Sequence, residues 1–216
     1  MNDIKIIFDC DRYVVCRKPK GITSEDGKVP GVPSALSSNG VKPLVVHRLD
    51  REVDGVMVLA KTSKTAAVLS KQITEREFQK EYLAVVSGDV GDGGTLEDLL
   101  FYDRSKNKTF TVKRERTGVK KASLEFDRLE TVEFENVQLS LVKIRLHTGR
   151  THQIRVQFAS RKHPVLGDGR YGSDVKCPVA LFSHKISFCD SGQTVDFKAL
   201  PDSCFPWNLF EGLKIL

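Results

Sequence analysis

The stretch Val46-His47-Arg48-Leu49-Asp50-Arg51-Glu52-Val53-Asp54-Gly55 sets one carboxylate, Asp50, between Arg48 and Arg51 at the end of a short apolar run. A second basic stretch, Thr148-Gly149-Arg150-Thr151-His152-Gln153-Ile154-Arg155, supplies two further arginines from far along the chain. An aspartate can attack carbon or take a proton only while ionised. Burial in a cleft raises its pKa, and a nearby guanidinium lowers it. An acid kept ionised by arginines from a distant segment is one chemistry these residues allow. An isolated Arg-x-Asp is more often a structural ion pair, and the residues alone leave that reading open.

Other chemistries lack their parts. There is no Gly-x-x-x-x-Gly-Lys-Ser/Thr loop for nucleotide phosphates and no Gly-x-Gly-x-x-Gly turn. No Gly-x-Ser-x-Gly elbow presents an acyl-transfer nucleophile. His47, His147, His152, His163 and His184 never fall at His-Glu-x-x-His spacing, and the five cysteines form no Cys-x-x-Cys pair. No metal and no cofactor is expected. The odd cysteine count suits reduced, mostly buried thiols.

The elements that must position these residues read as many short strands and few helices. Ile4–Phe8 and Tyr13–Arg17 are expected strands, and Lys18-Pro19-Lys20-Gly21 stops the second. Gly21–Lys42 reads as a surface loop with one helical turn near Ser34–Ser37. Leu44–Val46 and Val56–Ala60 are strands on either side of Asp50. Thr62 or Ser63 caps a helix to about Phe78, with Ala66, Leu69 and Ile73 on one face. Glu81–Ser87 is a strand and Gly91–Gly94 a turn. Arg104–Lys121 holds eight basic residues against one acid; it is either a solvated hairpin arm or footing for an RNA backbone. Ala122–Val132 and Val137–Leu146 form two long strands, Thr151–Arg161 a helix, and Leu181–Phe188 with Thr194–Phe197 a late hairpin. Neighbouring runs of strands predict an α+β fold with a mixed, mainly antiparallel sheet flanked by helices around a central cleft. With 216 residues and no linker or repeat, a single domain over residues 1–216 is expected. A net charge of +6 and a pI near 9.0 admit an anionic partner. Neither a signal peptide nor a membrane span is read, so a cytoplasmic protein with no membrane partner is expected.

Several blocks then occur together and in order. They are His47-Arg48-Leu49-Asp50, Lys80-Glu81-Tyr82, Thr148-Gly149-Arg150-Thr151-His152-Gln153-Ile154-Arg155-Val156, and His163-Pro164-Val165-Leu166-Gly167-Asp168 with Tyr171. Tyr13-Val14-Val15-Cys16-Arg17-Lys18-Pro19-Lys20-Gly21 precedes them. This set, from about residue 8 to 210, resembles the RluA-type pseudouridine synthases. The resemblance implies an enzyme that isomerises uridine in structured RNA, tRNA or rRNA, without cofactor or metal. It breaks the bond from ribose C1′ to uracil N1, turns the base and rejoins ribose to C5. Asp50 matches the family's essential aspartate, and three routes stay open for it: attack on the sugar, addition to the base, or removal of a ribose proton. Arg155 matches the arginine that pairs with this carboxylate, and Tyr82 the tyrosine that stacks on the target base. Arg48 resembles the arginine that holds the flipped nucleotide. His47, Arg150, His152 and Gln153 complete the expected RNA- and base-binding set, His152 and Gln153 chiefly through internal hydrogen bonds. Lys18, Lys20, Arg161 and Lys162 are further candidates for phosphate contacts.

The sequence departs from the family pattern in three places. Val53-Asp54-Gly55 stands where Thr-Ser-Gly is usual, Gln157 where a histidine is usual, and His147 where proline is frequent. A second carboxylate this near Asp50 would raise its pKa if both were buried, so Asp54 is expected to face solvent or pair with Arg51. Many relatives carry an N-terminal S4-type RNA-binding domain; none is expected here, and a monomer without an obligate protein partner is. The alternative reading is a catalytically silent RNA-binding or RNA-folding module on the same fold. A carboxylate glycosidase would need a second acid paired with Asp50, and none is convincing.

Overall fold

The computed structural model describes residues 4–37 and 41–216. The middle of the expected 21–42 loop, residues 38–40, lies outside the described residues, as do residues 1–3. The chain divides into two compact units, Met1–Glu81 with Phe182–Pro201, and Tyr82–Leu181 with Asp202–Leu216.

The first unit is built on strands β1 (Lys5–Asp9), β2 (Tyr13–Lys18), β3 (Leu44–Val45) and β4 (Asp54–Ala60), with a one-turn helix α1 (Val32–Ala35) and the helix α2 (Ser63–Glu75). Strand β4 is buried at all seven positions, as a run of Val, Met and Leu with apolar cover on both faces should be. It pairs antiparallel with β2 and β3, and β2 pairs with β1. Helix α2 starts where expected: the Thr62 hydroxyl accepts the Thr65 N–H at 3.1 Å. It ends at Glu75 rather than Phe78, because Arg76 turns left-handed at φ 64°. Phe78, freed from the helix, joins Leu69, Val15, Val56, Val58 and Phe188 in the core of this unit.

Beyond β5 (Gln79–Ser87), whose last six residues belong to the second unit, come β6 (Gly93–Asp103), β7 (Lys108–Val112), β8 (Val119–Phe134), β9 (Val137–Leu146) and α3 (Gln153–Ala159). The order across this sheet is β5-β9-β8-β6-β7. The β8–β9 hairpin closes on Glu135 and Asn136, both at positive φ, the turn whose twist suits paired strands. Gly93 opens β6 where a turn was expected from sequence. A Cβ there would meet the Phe126 carbonyl at 2.6 Å, so the glycine serves close strand approach. Helix α3 is buried from Gln153 to Phe158, and Val156 packs with Leu100, Ala122 and Tyr171.

The last strands of the first unit are β10 (Leu181–Asp190) and β11 (Gln193–Lys198), an antiparallel hairpin in which β10 also runs parallel to β4. The fold is α+β with a mixed, mainly antiparallel sheet, and the two short 3₁₀ turns after Pro206 were not read from sequence. No described helix is long and apolar enough to cross a membrane. Of the five cysteines only Cys16 is buried, and Cys189 and Cys204 are exposed; the expectation of mostly buried thiols is corrected.

Candidate active site

His47, Arg48 and Asp50 lie in the first unit, and Tyr82, Arg150, His152, Gln153 and Arg155 in the second. Asp50 sits half-buried in the tight turn between β3 and β4, whose Val53 N–H donates to the Asp50 carbonyl at 3.0 Å. The peptides on both sides of it are held from the segment that follows β2. The Ser24 hydroxyl donates to the Leu49 carbonyl at 2.7 Å and accepts the Leu49 N–H at 2.9 Å. The Arg51 carbonyl accepts the Gly21 N–H at 2.8 Å and the Lys18 ammonium at 3.3 Å. Arg51 Nε returns to the Gly21 carbonyl at 2.9 Å. Two loops thus brace each other with Asp50 at the crown.

Lys18 is fully buried, a correction to its reading as a phosphate contact. Its Nζ also donates to the carbonyls of Pro19 and Ile22, both at 2.9 Å. Burial pushes this ammonium down to about 8, against the pull of the Asp54, Asp50 and Glu52 carboxylates. Lysine is seldom buried without partners, and the sequence marks Lys18 only as part of a strand stop and as a phosphate contact. Ser24 left no signal in the sequence.

Asp54 neither faces solvent nor pairs with Arg51. It is buried and takes two hydrogen bonds from Arg17, Nε at 2.9 Å and Nη2 at 2.8 Å. Arg17 precedes the Lys18–Gly55 cross-strand pair, so its side chain reaches the carboxylate from the neighbouring strand. This bidentate pair balances the second acid near Asp50. Gly55 follows at φ 126°, and a Cβ there would meet the Ser183 carbonyl at 2.3 Å. Only glycine lets β4 run beside β10 at that point.

His47, expected from the sequence to bind RNA, is buried below the turn. Its Nε2 accepts the Val58 N–H at 3.1 Å, which puts the ring proton on Nδ1, and Nδ1 is enclosed without a hydrogen-bond partner. Burial first, and the Lys80 charge second, hold its pKa well below the usual histidine range. Arg48 points outward to Glu25 at 3.1 Å, both side chains more than half exposed. Such a pair contributes about 1 kcal/mol at most, so Arg48 can exchange this partner for another anion.

In the second unit Tyr82 is buried in β5, 7% exposed. Gln153 organises the turn before α3: its Oε1 accepts the Thr148 hydroxyl at 2.7 Å and the Arg150 N–H at 3.0 Å, and its Nε2 donates to the Ser123 carbonyl at 3.1 Å. Arg150 is exposed, with Nε on the Lys121 carbonyl at 3.1 Å. His152 adopts φ 54° and sets Nδ1 2.9 Å from the Tyr171 hydroxyl. That hydroxyl accepts the Thr109 N–H at 2.8 Å. Arg155 is 4% exposed and forks onto Asp168, Nε at 2.5 Å and Nη2 at 2.9 Å, with its guanidinium 5.1 Å from the Tyr171 ring centre. Asp168 anchors this arginine. Gln157 donates to the Leu96 carbonyl at 3.0 Å and to Asp98 at 2.8 Å. Arg161 pairs with the same Asp98 at 2.8 Å.

The RNA pseudouridylate synthase family model matches residues 12–160, the span that carries Asp50, Tyr82 and Arg155. The chain belongs to this family. An uncharacterized RNA pseudouridine synthase of Aquifex aeolicus is 36% identical over 78% of the chain. Ribosomal large subunit pseudouridine synthase D of Borreliella burgdorferi is 31% identical over 85% of it. These matches place it among the RluA-type members. The chain spans 56% and 60% of the length of these two relatives. Human RNA Pseudouridylate Synthase Domain Containing 1 shares the fold, with a TM-score of 0.78 at 21% identity over 94% of this chain and 85% of that one.

Proposed function

We propose that the protein isomerises uridine to pseudouridine in structured RNA, with Asp50 as the catalytic carboxylate and Tyr82 and Arg155 as further residues of the reaction. The observation that carries this reading is the bracing around Asp50. Ser24, Lys18 and Gly21 fix both neighbouring peptides, and Arg17 balances the other buried acid. A carboxylate on so constrained a turn is preorganised for reaction. No cofactor or metal is part of the proposed step: the glycosidic bond breaks and the C5 bond forms within one nucleotide. Base flipping costs a few kcal/mol, which phosphate contacts can offset. Arg48 and Arg150, both exposed, are the proposed RNA contacts, with His47, His152 and Gln153 supporting the loops beneath them. Large-subunit ribosomal RNA is the first substrate to test, since the Borreliella relative carries that name, and tRNA the second.

Mapping pseudouridine in total cellular RNA with and without this gene tests the reading. At least one site should vanish in its absence and return with the parent gene but not with Asp50→Asn. A map unchanged by loss of the gene would refute it.

A further inference from the structure

The net positive charge of this chain sits in one place. Of its 34 lysines and arginines and 28 acids, Arg104–Lys121 holds eight and one, leaving 26 basic against 27 acidic residues everywhere else. Within that segment only Lys121 has a carboxylate partner among the described residues, Glu115 at 3.3 Å with both side chains well exposed. The remaining cations lie on or beside the β6–β7–β8 sheet and form no ion pair among the described residues; the nearest acid is Asp103, which feels the Lys106 charge and stands across the ladder from Lys108.

The sheet's two faces differ. Leu100 and Ala122 point to α3 and pack with Val156. Side chains alternate along a strand, so Phe101 faces the other way, and register places Phe110 and Val119 directly beside it. Phe101 and Phe110 are both partly exposed. Each carries a cation over its ring: Arg116 lies 4.8 Å from the Phe101 centre and Lys106 5.8 Å from that of Phe110, while Lys108 is shared between Phe110 at 5.7 Å and Tyr171 at 5.2 Å. Cross-strand neighbouring aromatic rings beside a surplus of cations are what an unpaired nucleic-acid strand binds: bases stack on rings while ammonium and guanidinium groups meet phosphates. Duplex RNA keeps its bases stacked inside and would use only the cations.

We propose that this outward face of the β6–β7–β8 sheet is an RNA-docking surface that holds an unpaired stretch of the substrate by stacking on Phe101 and Phe110. It rests on the reading of RNA as the substrate, and it lies on the face of the sheet turned away from α3, which carries Arg155. The partner is chosen by charge: a net surplus of seven in eighteen residues suits a polyanion.

The test is direct binding of a fluorescently labelled unstructured RNA oligonucleotide, and of an RNA duplex of equal length, across a salt series. Lys113→Gln/Arg114→Gln/Arg116→Gln changes only exposed residues of the β7–β8 connection. It should weaken single-strand affinity about tenfold or more and lower the slope of log affinity against log salt by about 2, at about 0.7 for each phosphate no longer neutralised. Lys28→Gln/Lys64→Gln/Lys176→Gln removes the same net charge at exposed positions elsewhere and should change affinity by less than about threefold. Phe110→Leu keeps an apolar strand residue and should cost about tenfold for the single strand with an unaltered salt slope and unaltered duplex binding. An arm variant no weaker than its charge-matched control, or unchanged single-strand affinity of Phe110→Leu, overturns the proposal. Binding is read without turnover, so a protein that binds here yet forms no pseudouridine would refute the proposed reaction and leave the docking surface standing.

Discussion

Arg155 and Asp168 form the most deeply buried ion pair described, 5% and 1% exposed at the side chain. Their fork geometry satisfies two guanidinium donors at once. Removing Asp168 takes the charged acceptor from two buried guanidinium donors, and breaking such a buried pair costs about 3–5 kcal/mol. Asp168→Ala should therefore lower Tm by roughly 10 °C in a protein of this size; calorimetry showing an unchanged Tm would mean that the pair contributes nothing. Arg155 stood out in the sequence because it lies in a compact motif with Arg150, His152 and Gln153. Lys18 did not, because the type of a residue gives no sign of burial when the cover comes from loops. Of its three carbonyl partners, Pro19 and Ile22 are local and Arg51 is brought from 33 residues away by folding.

At the scale of elements, the decisive feature is the brace between the segment after β2 and the turn before β4. Local patterning showed Gly21–Lys42 as a surface loop, and nothing in its Gly, Pro and Ser content marks a contact with residue 49. Ser24→Ala leaves the buried Leu49 N–H and carbonyl without their partner, a loss of about 1–3 kcal/mol. The Asp50 turn should loosen, so single-turnover pseudouridine formation should slow by about tenfold or more while RNA affinity holds. An unaltered single-turnover rate would show that the brace does not position the acid. Strands β2, β4, β8 and β9 were legible because β-branched and alternating runs report directly on a sheet. The end of α2 was not, since Arg76 takes a left-handed conformation that its side chain does not advertise.

For the molecule as a whole, the α+β class followed from neighbouring strand runs. The division into two units did not, because two of the three crossings between them fall inside β5 and β10 and the third, after Pro201, has no linker of distinct composition. Global stability should carry the mark of buried His47. Its folded pKa is depressed by burial and by Lys80, so the unfolded chain binds the extra proton first as pH falls below about 6.5. Stability from this group is present above that pH and is lost on acidification, at up to about 1.4 kcal/mol per pH unit. His47→Gln offers an acceptor to Val58 without a titrating ring. Denaturant unfolding should show the parent losing stability relative to this variant below pH 6.5, and parallel curves would contradict the assignment. The central claim concerns Asp50 and a bond made at uracil C5, which expels the hydrogen held there. A transcript tritiated at uridine C5 reports that event as tritium released to water. The parent protein should release it in step with pseudouridine formation, and Asp50→Asn, binding the same RNA within about threefold, should release none; equal release by the two proteins would remove Asp50 from the reaction.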